Sequence, residues 1–316
     1  MQGRPILRDA LAPLGLLKMR RSKAAMSETP KAPSQAPSLA ELRAEIDRID
    51  ESMHKLLIER SQIIENLIKV KGTQDSGSAF RPAREASMMR RLVERHRGIL
   101  PLDTVESIWR VIIATFTHVQ APYAVHADMT AGEARMRDTA RFHFGFTVPL
   151  TEHAGAAGVV KAVTASKGDL GLVPAMEVAG AGAWWIALEP ETAPKIIARL
   201  PFVERPDHPA SLPVFAISRS APDAVATDVQ VYSVRVSGWS AKAAKTLASL
   251  AEAIAVPDGA FDGAALLISV PQDRNLADIL DALVKAGVSI RGTALVGSHA
   301  SRYTVSGGGS PEPAAR

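Results

Sequence analysis

From Leu39 to Lys71 the chain carries an unbroken helical pattern. Leu42, Ile46, Ile49, Met53, Leu56, Arg60, Ile63, Leu67 and Val70 recur at alternating steps of four and three. The spacing predicts one helix of roughly 50 Å at about 1.5 Å per residue, long enough that its apolar face needs partners of similar length. Ser38 and Glu41 form an S-x-x-E capping box at its start, and GTQDSGS (72–78) reads as a loop after it. A second helix is expected in FRPAREASMMRRLVERHRG, with Pro82 in the first turn and Gly98 as the stop. A third, TVESIWRVIIATFTHVQ, has Asp103 and Glu106 as a second capping box, presents Trp109, Ile113, Phe116 and Gln120 on one face, and ends before Pro122.

Beyond Pro122 the pattern shifts to short apolar runs between helical segments, an α/β texture. YAVHADM, FTVPLTEH, DLGLVPA, WWIALEP and LPVFAIS read as strands, and AGEARMRDTARFHF, AGAAGVVKAVTASK and ETAPKIIARL as helices. Residues 229–297 then read strand, helix, strand, strand, helix, strand, a ferredoxin-like order. The expected organisation is a disordered basic tail (1–38), a three-helix domain (39–121), an α/β segment (122–222), an α+β domain (223–304) and a flexible tail (305–316).

Composition narrows the chemistry. At 316 residues and 47% hydrophobic content the chain can bury a core across two or three domains, and with no cysteine it has no disulfide, thiolate nucleophile or iron–sulfur cluster. The formal charge of +4 is concentrated in residues 1–38, which carry +5, whereas residues 39–121 carry +1. The basicity therefore belongs to the tail and gives no stripe for nucleic acid. Met26 opens a more ordinary beginning, so residues 1–25 are expected to lie outside the native product. No apolar run has membrane-spanning length, and a cytoplasmic protein is the default expectation. The eight histidines lack metal-ligand spacing, no phosphate or dinucleotide loop is present, and neither a metal nor a cofactor is expected. Trp184 and Trp185 read as core.

Arg60 breaks the apolar seam of the long helix. A cation on a buried face costs several kcal/mol, roughly, unless an anion meets it. Lys71, eleven residues on, points in nearly the same direction and can converge on the same place. Taken singly, Arg60 fits an internal salt bridge or a snorkelling arginine, Lys71 an exposed lysine favoured by the helix dipole, Glu85 a first-turn acid and Gln120 a fraying end.

Together, L-R-x-x-I-D-x-I-D, E-R, K-x-K, R-P-x-R-E and the terminal Gln on one long and two shorter helices resemble the all-helical (AroQ-type) chorismate mutases, over about residues 39–121. The resemblance implies a homodimer through the long helix, with Arg43 reaching across into the partner's site and Arg60 holding a substrate carboxylate. It implies Lys71 and Gln120 as donors to the ether oxygen, Glu85 at the substrate hydroxyl and Arg84 as carboxylate support. Arg81 stands where several members have an aspartate, and Phe116 where many have a serine. The implied reaction, chorismate to prephenate in aromatic amino-acid biosynthesis, is a unimolecular rearrangement that needs a shape and a field rather than a nucleophile.

The segment around KGDLGLVPAME resembles a shortened prephenate dehydratase, the usual fusion partner of this mutase. That family's Thr-Arg-Phe motif is replaced by Pro213, Val214 and Phe215, so a remnant without dehydratase activity is expected. Residues 229–297 resemble an ACT regulatory domain, but Arg274-Asn275-Leu276 and Gly292-Thr293-Ala294 replace its amino-acid-binding motifs. Two alternatives stand beside an active mutase: a bifunctional mutase and dehydratase, and a non-catalytic sensor that uses the helices to dimerise.

Overall fold

The structure, a computed structural model, describes residues 36–71 (Lys71 by its backbone alone), 79–219, 227–258 and 262–305. The expected tails at either end, apart from residues 36–38 and 305, and the loop 72–78 lie outside the described residues. Three helices come first: α1 (Leu39–Lys71), α2 (Pro82–Arg95) and α3 (Leu102–Gln120). The chain divides into two compact units between Lys55 and Leu56, within α1.

In the first unit, the Ser38 amide donates to Glu41 Oε2 at 2.7 Å and the Glu41 amide to Ser38 Oγ at 3.3 Å, which forms the expected capping box. Leu42, Ile46, Ile49 and Met53 are all exposed along this half of α1.

The second unit opens with the rest of α1, where Leu56, Ile63 and Val70 are exposed. Beyond α3 follow β1 (Val125–Asp128), α4 (Glu133–Phe144), β2 (Leu150–His153), α5 (Ala156–Ala165), β3 (Leu170–Pro174), β4 (Lys195–Leu200), β5 (Val203–Glu204) and β6 (Val214–Ser218). The chain continues through β7 (Val229–Ser237), α6 (Ala241–Leu250), β8 (Glu252–Asp258), β9 (Gly263–Pro271), α7 (Leu276–Lys285), β10 (Ser289–His299) and β11 (Tyr303–Thr304).

One nine-stranded mixed sheet, in the order β2-β1-β3-β6-β4-β10-β7-β9-β8, holds the unit together. β1 is parallel to β2 and β3, and β6 lies antiparallel between β3 and β4. β7 to β10 form an all-antiparallel sheet in the order 10-7-9-8. The two parts are stitched by β4 and β10 at a single register pair, Ile196 with Gly297. Gly297 has φ +149, and a Cβ there would lie 2.1 Å from the Ile196 carbonyl oxygen, so only glycine permits this approach. One face of the first part packs on α2, α3 and α4, the other on α5 and Trp185, and α6 and α7 cover the second part.

Three local expectations are corrected. ETAPKIIARL is not a helix: Lys195–Leu200 is the strand β4, in the middle of the sheet, where Ile196 and Ile197 suit a pleated buried surface and Pro194 denies a helix its donor. WWIALEP is not a strand: Trp184–Leu188 forms a 3-10 turn that drives Trp185 and Leu188 into the core. Asp103 and Glu106 do not form a capping box, because α3 starts two residues earlier, after Pro101, and Glu106 turns inward.

Candidate active site

The site begins with the misplaced cation of α1. The Arg60 guanidinium lies over the Phe116 ring of α3, 4.5 Å from its centroid, in cation–π contact. Its Nη1 is buried and has no hydrogen-bond partner among the described residues. Burial, and then the like charge of Arg84, lower the Arg60 pKa. Arg84 itself is exposed in the first turn of α2. Two cations thus share one region, and the half-buried one has a buried donor unmet. That is the environment of an anion site, since a carboxylate would satisfy the donor and relieve the repulsion.

Gln120, one turn beyond Phe116, is half-buried, and its Nε2 donates to the Phe116 carbonyl at 3.0 Å. Arg81 immediately precedes α2, half-buried, with Nη1 donating to the Phe80 carbonyl at 3.1 Å. Lys71 is the last residue of α1, and its side chain lies outside the described residues. Arg43 belongs to the first unit and is exposed on α1.

Glu85 departs from its expected place. Its carboxylate is buried and accepts from Arg110 Nη1 at 2.7 Å, while Arg110 Nη2 donates to the His143 carbonyl at 3.0 Å. Burial pushes the Glu85 pKa up, and Arg110 pulls against it. The residue that resemblance assigns to a substrate hydroxyl is therefore committed to a contact between α2, α3 and α4.

A second buried carboxylate lies on α3. Glu106 accepts from Arg205 Nη1 at 2.7 Å and from His208 Nε2 at 3.2 Å. The His208 ring stacks on that of His143, centroids 6.2 Å apart. Burial, then Arg110 and His208, hold His143 neutral with its pKa well below the ordinary value. Sequence reasoning missed this cluster. Glu106, Arg110, Ile113 and Thr117 recur at steps of four, three and four, so α3 carries charges in its buried face.

Among the described residues no group of three His, Asp or Glu is placed to hold a metal, and no helix is long and apolar enough to cross a membrane.

Residues 42–121 match the family profile of chorismate mutase type II over the helices that carry this geometry. These residues are a chorismate mutase type II domain. The chain is also similar to the bifunctional chorismate mutase/prephenate dehydratase of Pseudomonas aeruginosa, 29% identical over 141 residues, covering 43% of this chain and 38% of that protein. The namesake from Neisseria gonorrhoeae is 32% identical over 83 residues, 26% of this chain and 22% of that protein. The matches thus span less than two fifths of each of these relatives. Among solved structures, the prephenate dehydratase from Streptococcus mutans aligns at 14% identity with a TM-score of 0.35, covering 58% of this chain and 99% of that one. The chorismate mutase domain is followed by the mixed-sheet region into which Glu106 and Arg110 make their buried contacts.

Proposed function

We propose that the chain is a chorismate mutase, rearranging chorismate to prephenate in aromatic amino-acid biosynthesis in the cytoplasm. The observation that carries this reading is the unmet Nη1 of Arg60, buried on Phe116 beside Arg84 with no carboxylate among the described residues to receive it. Chorismate brings two carboxylates. Arg60, supported by Arg84 and Arg81, holds one and selects the compact conformer from which the reaction proceeds, removing part of the entropic barrier. Lys71 at the end of α1 and Gln120 at the end of α3 then supply donors to the ether oxygen as negative charge develops there. Donors fixed in advance stabilise the transition state more than the substrate. Phe116 replaces a hydroxyl with an aromatic platform that keeps the Arg60 guanidinium in place. Glu85 acts through Arg110, fixing the start of α2 that presents Arg84 and Arg81, rather than touching substrate.

The active form is a homodimer. What supports this is the exposed stripe Leu42, Ile46, Ile49 and Met53, an apolar face that a second copy of the same helix covers, with Arg43 delivered into the partner's site. No metal or cofactor enters the reaction. The sheet region performs no dehydration, because Pro213 and Val214 stand where that chemistry needs a hydroxyl and a guanidinium.

The test is the loss of chorismate absorbance on purified protein, with Arg60→Ala and Lys71→Ala beside it and the products separated. Prephenate alone is expected from the wild type, with kcat/KM lower by roughly 100-fold or more in either variant. Phenylpyruvate would instead establish the bifunctional enzyme. Equal inertness of all three proteins would leave Arg60 as a structural cation and the chain as a sensor.

A further inference from the structure

A cavity of about 360 Å³ lies beside β4, where the 201–213 segment meets the start of β8. Its wall combines Arg199, Arg205 and Arg302 with apolar Met176, Pro201 and Pro213. Arg199 and Arg302 are the more buried members of their ion pairs and their carboxylate partners the more exposed ones, whereas Arg205 is paired with the buried Glu106. Arg199, whose side chain is 5% exposed, pairs with Glu252, whose side chain is 52% exposed. Glu252 also meets Arg302 Nη2 at 3.4 Å, and Arg302 Nη1 donates to Glu204 at 2.5 Å. Even so, Arg199 Nε and Arg205 Nη2 remain buried without acceptors among the described residues. Burial, the largest influence, lowers the Arg199 pKa, and Arg302 lowers it further.

A half-exposed glutamate that caps a buried arginine gains little, since water competes for its carboxylate and its side chain loses freedom. A ligand carboxylate attached to an apolar body makes the same contact and also covers the Met176 and Pro213 wall. We propose that this cavity binds a small carboxylic acid with a compact apolar body, its carboxylate displacing that of Glu252 from Arg199 and Arg302. Glu252 is then a built-in competitor, swinging to solvent when the ligand enters. The proposal does not depend on the mutase reading, and it concerns residues outside the helical domain.

The experiment uses the full chain carrying Arg60→Ala, so that the helical anion site contributes nothing. Benzoate is the probe, benzamide its neutral counterpart, and the readouts are thermal shift and titration calorimetry. Benzoate is expected to raise Tm and benzamide not. Glu252→Gln, at an exposed position, should tighten benzoate binding by about fivefold or more, and Arg302→Gln should weaken it by about tenfold or more. An equal response to benzamide, no response to benzoate, or weaker binding in Glu252→Gln would overturn the proposal. So would a benzoate response in the wild type that disappears with Arg60→Ala, because the binding would then belong to the helical site.

Discussion

Single charged side chains decide much of this molecule. Arg205 pairs with Glu106 in the core, where His208 also hydrogen-bonds it, and removing the charged partner of a buried pair costs about 3 to 5 kcal/mol because the other charge is left stranded. Arg205→Ala should lower the denaturation midpoint accordingly, and adding Glu106→Gln should recover most of the loss. His299 makes a different prediction. It is buried, its Nδ1 donates to the Ala300 carbonyl at 2.8 Å, and burial lowers its pKa to about 4. Unfolded, a histidine takes its proton near pH 6.5. The neutral folded form thus adds stability that is complete above about pH 6.5 and is lost as pH falls towards 4, at most about 3 kcal/mol. Urea titrations from pH 7 to 4 should show a shallower decline for His299→Asn than for the wild type. At this scale the sequence was half legible. Arg60 stood out because it interrupts a seam of apolar residues. Glu106 was hidden because an acid three residues after Asp103 also fits a capping box, and the donors that hold it lie 99 and 102 positions away.

Among the elements, the long helix was readable to its ends, since an apolar repeat sustained along its 33 residues and a capping box both act locally. The strand β4 was not, because ETAPKIIARL has a helical distribution of apolar residues and becomes a strand only through its neighbours β6 and β10. That contact rests on Gly297. Gly297→Ala places a methyl against the Ile196 backbone, and the clash should break the register pair and destabilise the fold by several kcal/mol, roughly. Hydrogen exchange should show loss of protection concentrated in β4 and β10. The bare stripe of α1 carries its own test. Ile49→Glu, at an exposed apolar position, should leave helix content unchanged while light scattering reports monomer and mutase activity falls.

The whole molecule is less divisible than its sequence suggests. Composition and pattern separate a helical segment from a strand-rich one near Pro122, and both textures are present. What pattern could not convey is that α3 buries charges against the later region, and that the two strand-rich segments share one sheet. The excised piece 39–121 should therefore be poorly folded by circular dichroism, and Glu106→Leu should restore helicity to it where a surface substitution such as Glu94→Gln does not. This bears on descent. A lineage that lost the sheet region would inherit helices carrying an acid with no counter-ion, so selection against that deletion acts on one side chain of the helical domain. The downstream two-thirds of the chain is then held in place by packing, whatever chemistry it does or does not perform.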